Sequence, residues 1–260
     1  MSHSNQRDQT GRSTPWKTSV AVGALCCLCL SAAAQNVNPR VLPPGANAFG
    51  RTYSEWAASW WQWAFSIPAD ISPLNDTTGA YGAQGQSGHV WFLAGLTGTP
   101  GGPVTRTLAV PVGKALFFPV VNEMWVNMPE LGDNPWSPGQ EVFARTFIAN
   151  VMDTAADLTC QIDGAPLINL AGYRMQTAAG QAFMVNVPVG DVWGLVSAGA
   201  TPGLHGPCVD DGIYLLVAPL SAGAHTIHFT ASLAGGFHLD VTYNLTVGLP
   251  SLGLARNVAD

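Results

Sequence analysis

The chain has 260 residues, of which 47% are hydrophobic and 10% charged, with a formal net charge of −6. That length suits one domain with an ample core, and cations this sparse offer no basic patch for nucleic acid or an anionic membrane surface. Lys114 is the only lysine past residue 34, and no apolar stretch beyond that point is long enough to span a bilayer.

The chain opens with a polar segment carrying Arg7, Arg12 and Lys17, followed by SVAVGALCCLCL and then SAAAQ. Basic flank, short apolar run and small residues in that order predict a secretory signal over 1–34, with Ala32 and Ala34 at the cleavage positions before Gln35. Cys26 has no small residue directly before it, so cleavage rather than lipid attachment is expected. Removal takes away three cations and one acid, Asp8, leaving a mature protein more acidic than the whole chain. The expected location is secreted or periplasmic.

Residues 35–50, QNVNPRVLPPGANAFG, are aperiodic and predict an extended arm, and 51–260 are expected to form a single β-sandwich domain. A helix is predicted near 53–66: Thr52 caps it, Glu55 completes a capping box, and Pro68 ends it. Tyr53, Trp56, Trp60, Trp63 and Ile67 fall on one stripe, with Trp61 and Phe65 beside it. An apolar arc so wide fits a helix wedged between other elements, and rings exposed in such number would aggregate. Trp61 is retained as a ligand candidate in case one ring reaches a cleft edge.

Beyond the helix, short segments divided by Gly, Pro, Asn and Asp read as strands: HVWFLAG, TRTLAVPVG, KALFFPVVN, DLTCQIDG, AFMVNVPV, GIYLLVAPL, HTIHFTAS and FHLDVTYNLTV. The expected fold is mainly β, a two-layer sandwich of jelly-roll or immunoglobulin-like type with two added helices. GQSGH places Ser87 close to His89, but not with the spacing or setting of a nucleophile elbow. The connection NEMWVNMPELGDNPW carries Glu123, Glu130 and Asp133 as candidate acids, with Trp125 and Trp136 as candidate sugar platforms. Cleavage of a glycosidic bond needs one carboxyl to protonate the leaving oxygen and another to attack or activate water. The same pattern also describes a solvated acidic loop.

A second helix is predicted near 138–153, with Ser137 as cap, Pro138 in the first position, Gln140 closing a capping box, and a stripe of Phe143, Phe147, Ile148 and Val151. In an oxidising compartment Cys160 and Cys208 are expected to form a disulfide. Asp210 and Asp211, just after Cys208, are a further pair of acids that could equally be turn residues. In the last pair of strands Phe237, Leu239, Val241, Tyr243, Leu245 and Val247 share one face, and SLAGG supplies the turn. Matching apolar faces would pair Phe229 with Leu239 and set His228 opposite Asp240. His228, His238 and Asp240 are weak metal candidates sharing a face, whereas His225 and His228, three apart on a strand, face opposite ways. No cofactor is expected, since no P-loop or dinucleotide fingerprint occurs.

The blocks YSEWAASWWQWAFSIP, GHVWFLAG, VPVGKALFFPVVNE and GAHTIHFTASLAGGFHLDVTYNLTV resemble a family of uncharacterised secreted bacterial proteins with a Trp-rich helix of WWQW type and a C-terminal β-sandwich. The resemblance implies a bacterial origin and export, and no activity. PLSAGAHTIHF also looks like the strand-turn-strand of immunoglobulin-like and carbohydrate-binding sandwiches, which speaks to fold alone. The expectation is therefore a non-catalytic exported protein that binds a glycan or other envelope ligand, with a polysaccharide hydrolase as the alternative.

Overall fold

The computed structural model describes residues 38, 40–98 and 102–249. The signal expected at 1–34 lies outside them. In chain order the elements are α1 (Tyr53–Phe65), β1 (Val90–Phe92), β2 (Val104–Pro111), β3 (Ala115–Val126), α2 (Pro138–Met152), β4 (Ala156–Ile162), β5 (Ala165–Pro166), β6 (Arg174–Gln176), β7 (Phe183–Val187), β8 (Gly203–Val217), β9 (Gly223–Leu233) and β10 (Phe237–Gly248). They form a mainly β, two-layer sandwich with two added helices. One sheet has the order β1-β3-β8-β6, with β7 also on β8, and the other β2-β10-β9-β4-β5. The pairs β1–β3 and β2–β10 are parallel.

Thr52 and Glu55 close the expected reciprocal cap on α1, the Glu55 carboxylate accepting the Thr52 N–H at 2.8 Å. The four indoles of α1 are buried, and each finds a hydrogen-bond acceptor: Trp56 the Ala48 carbonyl, Trp60 the Leu93 carbonyl, Trp61 the Tyr214 hydroxyl and Trp63 the Gln84 carbonyl. Satisfying each N–H is what makes burying four tryptophans on one helix tolerable. The arm before α1 docks on its own domain. The Ala218 N–H donates to the Arg40 carbonyl at 2.9 Å, and the Leu42 N–H to that of Leu216 at 2.8 Å.

Side-chain alternation assigns each face of the first sheet. Phe117 and Tyr214 stack, centroids 5.5 Å apart, toward Tyr53 of α1. On the other face Phe118 meets Phe229 of the second sheet at 5.2 Å. Farther along that face Val209 packs against Ala144 and Ile148 of α2. Thus α1 covers one side, while the second sheet and α2 share the other, and their seam lies over the middle of β3.

Four expectations are corrected. The hairpin of β9 and β10 pairs Phe229 with Val241 and His228 with Thr242, two residues from the expected register. Gly235 and Gly236, both at φ 87°, make a tight loop with Ala234 and let β9 run on to Leu233. The faces are nevertheless as expected, and His228 reaches Asp240 diagonally at 2.8 Å. In α2 the buried side is Gln140, Ala144, Ile148 and Met152, whereas Phe143 and Phe147 remain 53% and 48% exposed. Small Ala144 lets the helix approach the sheet, and the two rings rest edge-on against Trp125 at 5.4 and 5.3 Å. Asp210 and Asp211 occupy the middle of β8, not a turn, and are fully buried.

Cys160 and Cys208 are free buried thiols, not a disulfide. Phe118 pairs with Leu215, and Phe229, which its ring touches, pairs with Cys160. Cys160 therefore lies level with Leu215, whereas Cys208 is roughly 20 Å farther along β8 at ~3.3 Å per residue. A disulfide needs Cα atoms about 4–7 Å apart.

Candidate functional site

β1 ends opposite Phe117, so the outer edge of β3 beyond it has no strand partner among the described residues. A cavity of about 410 Å³ lies along that edge, in the seam between α2 and the β9–β10 hairpin, with Trp60, Trp61, Glu123, Trp193 and Phe237 in its walls. A second, of about 320 Å³, turns around the edge past Phe65, Trp125 and Asp133. Trp61, Glu123 and Trp193 line both, which makes them the junction of one bent cleft.

Glu123 is half-buried there. Its carboxylate accepts the Met124 N–H at 3.3 Å, and no Arg, Lys or His pairs with it among the described residues. Burial raises its pKa above the ordinary glutamate range. A carboxyl so placed keeps its proton to a higher pH and can donate a hydrogen bond as well as accept one.

Both rings of the junction are held in position. Trp61 donates to the Tyr214 hydroxyl at 3.0 Å, which also receives the Asn122 amide at 3.2 Å and donates to Asp210 at 2.7 Å. Thr177 donates to the other Asp210 oxygen. Trp193 stacks on Phe65 with centroids 3.8 Å apart. Its loop is gathered by Asp191, whose carboxylate accepts the N–H groups of Trp193, Leu195 and Val196 at 2.9–3.0 Å. Asp211, on the opposite face from Asp210, is fixed by two bonds from Arg174 at 2.8 and 2.7 Å and one from Gln176 at 2.7 Å.

Of the acids singled out from sequence, Glu123 and Asp133 line the same cavity, and the Asp133 carboxylate accepts the Met128 N–H at 2.7 Å. Glu130 is drawn away to His205 at 2.9 Å. Trp125 lines the second cavity, its indole N–H without a partner among the described residues. Trp136 packs instead beside Ala144, Ile148 and Val209. The three metal candidates do not converge: His228 meets Asp240, whereas His238 bonds Ser232 at 3.0 Å. Among the described residues no three His, Cys, Asp or Glu side chains are placed to hold a metal ion, and no helix is long and apolar enough to cross a membrane.

Trp193 was not legible as a site residue. The available signal was Asp191, whose side chain can cap N–H groups two to five residues on and so build a fixed loop. Sequence spacing also concealed a Ser221–His225–Asp163 alignment, with His225 2.9 Å from Asp163 and 3.3 Å from the Ser221 hydroxyl. The same ring nitrogen, Nε2, lies closer, at 2.9 Å, to the Ser221 carbonyl. That nitrogen is thus engaged by backbone and is poorly placed to accept the hydroxyl proton. No protein-family model and no curated protein matches the chain.

Proposed function

We propose that the protein is an exported glycan-binding protein whose ligand lies in the bent cleft, against Trp193 and over Glu123, with the buried Trp61 forming part of the floor. The observation that carries this reading is a half-buried carboxyl that has no cationic partner among the described residues, at the junction of two aromatic-walled cavities. Tryptophan rings stack on the C–H faces of sugars, and a carboxyl among them bonds sugar hydroxyls as donor or acceptor. Export rests on the pattern of residues 1–34 and on the family resemblance. A second reading, glycoside hydrolysis, is favoured by Asp133 sharing a cavity with Glu123. In it Glu123 is the proton donor and Asp133 the second carboxylate.

Tryptophan fluorescence with acrylamide, against a panel of cell-wall and plant polysaccharides, tests the proposal. One glycan is expected to shift the emission and protect it from quenching. Glu123→Gln, which keeps the shape and loses one hydrogen-bonding mode, is expected to weaken that glycan by about tenfold. A panel that leaves the emission unchanged sinks the proposal. New reducing ends made by the native chain and not by Glu123→Gln would replace binding with hydrolysis.

A further inference from the structure

We infer a second binding site, for a carboxylate-bearing sugar, in the groove bounded by Phe49, Arg51 and His89. Ala48 and Arg51 exchange two backbone hydrogen bonds at 3.0 and 3.1 Å, so Phe49 and Gly50 are the central residues of a two-residue turn. Their φ values are 53° and 76°. Positive φ at both positions is the pattern that asparagine followed by glycine satisfies best, and a phenylalanine there is strained. Strain of this kind persists where the surrounding structure enforces it, commonly at ligand clamps. Here it projects a ring: Phe49 is 46% exposed and lies parallel to the exposed His89 imidazole, centroids 5.7 Å apart.

Charge marks the same place independently. Among the described residues Arg40, Arg145 and Arg174 pair with acids, and Arg106 is buried among the carbonyls of Asp76, Ala94 and Gly95. Arg51 and Lys114 form no ion pair among the described residues; Arg51 lines this groove, whereas Lys114 touches it only through Gly88. The Arg51 guanidinium lies 5.0 Å over the Trp56 ring and donates to Ser59, while Lys114 donates to the Gly88 carbonyl. Glu55, which lines the adjoining groove with Arg51, spends its carboxylate on the Thr52 N–H and hydroxyl, and the Arg51 charge acts on it as a smaller influence. The groove, about 480 Å³, is edged by Ser87 and Gln62. The Arg51 guanidinium suits a carboxylate, the Phe49–His89 pair an apolar sugar face, and the Ser87 hydroxyl and the Gln62 amide oxygen the ring hydroxyls, the Gln62 N–H being given to the Met184 carbonyl. No residue lining this groove lines the Glu123 cleft, so either site stands or falls without the other.

Isothermal titration of the whole chain with tri-galacturonic acid and with the neutral galactose trisaccharide tests the inference. The acid is expected to bind, more weakly as salt is added, and the neutral sugar at least about tenfold more weakly. Arg51→Met is expected to lower affinity for the acid by at least about tenfold. Phe49→Asn is expected to do likewise while the melting temperature holds or rises, since asparagine suits the turn; a merely structural Phe49 would lower it instead. Glu123→Gln is expected to leave acid binding unchanged. No heat from the acid, equal affinity for both sugars, or native binding by Arg51→Met and Phe49→Asn would overturn the inference.

Discussion

Asp210 has both carboxylate oxygens occupied, by Tyr214 and Thr177, yet burial still raises its pKa to about 6, since those two bonds only partly offset the loss of water. In the unfolded chain an aspartate titrates near 3.9. As pH falls from 7 toward 4, the native state therefore takes up a proton that the unfolded state does not, and the protein gains stability. The gain is on the order of 3 kcal/mol and is lost again as pH rises through 6. Asp210→Asn is expected to flatten that part of the stability profile, which urea melts at pH 4, 5, 6 and 7 would show. An unchanged slope would mean that another group carries it. Glu123 is raised by the same cause, but its oxygens face a cleft rather than a closed network. The contrast separates an acid that positions Trp61 through Tyr214 from one free to meet a ligand.

At the scale of elements, α2 makes the difference between pattern and packing measurable. Ile148 is buried and Phe143 half exposed, so Ile148→Ala should cost about 2–4 kcal/mol in denaturant unfolding and Phe143→Ala about 1 kcal/mol or less. Comparable losses would return the helix to the stripe read from sequence. What sequence revealed follows from what is local. The capped α1 and the faces of β9 and β10 were legible because a cap spans four residues and a strand alternates with period two. The hairpin register was not, because it depends on which residues of SLAGG form the loop. The strand character of Asp210 and Asp211 was hidden as well, because their partners Thr177, Arg174 and Gln176 lie more than thirty residues away. Glu123 was identifiable as a candidate by chemistry alone. Its meeting with Trp61 and Trp193 depends on three distant segments.

At the scale of the molecule, the two sheets hold their cysteines apart, and burial pushes both thiols up to about 12. A chain beginning at Gln35 should melt at the same temperature with and without dithiothreitol. A thiol reagent should label it slowly when native and at both Cys160 and Cys208 once unfolded. A reductant-sensitive melting temperature would refute the free-thiol arrangement.

The edge of β3, which has no strand partner among the described residues, has a consequence for solubility. Open strand edges invite a second chain to pair, and proteins blunt them with prolines, bulges and charged side chains. β3 carries all three within five residues: Pro119, the register break between Pro119 and Val121, and Glu123. The groups that shape the cleft thus also guard against fibrous self-association, and an apolar residue in place of Glu123 would remove a gatekeeper along with the proposed ligand contact.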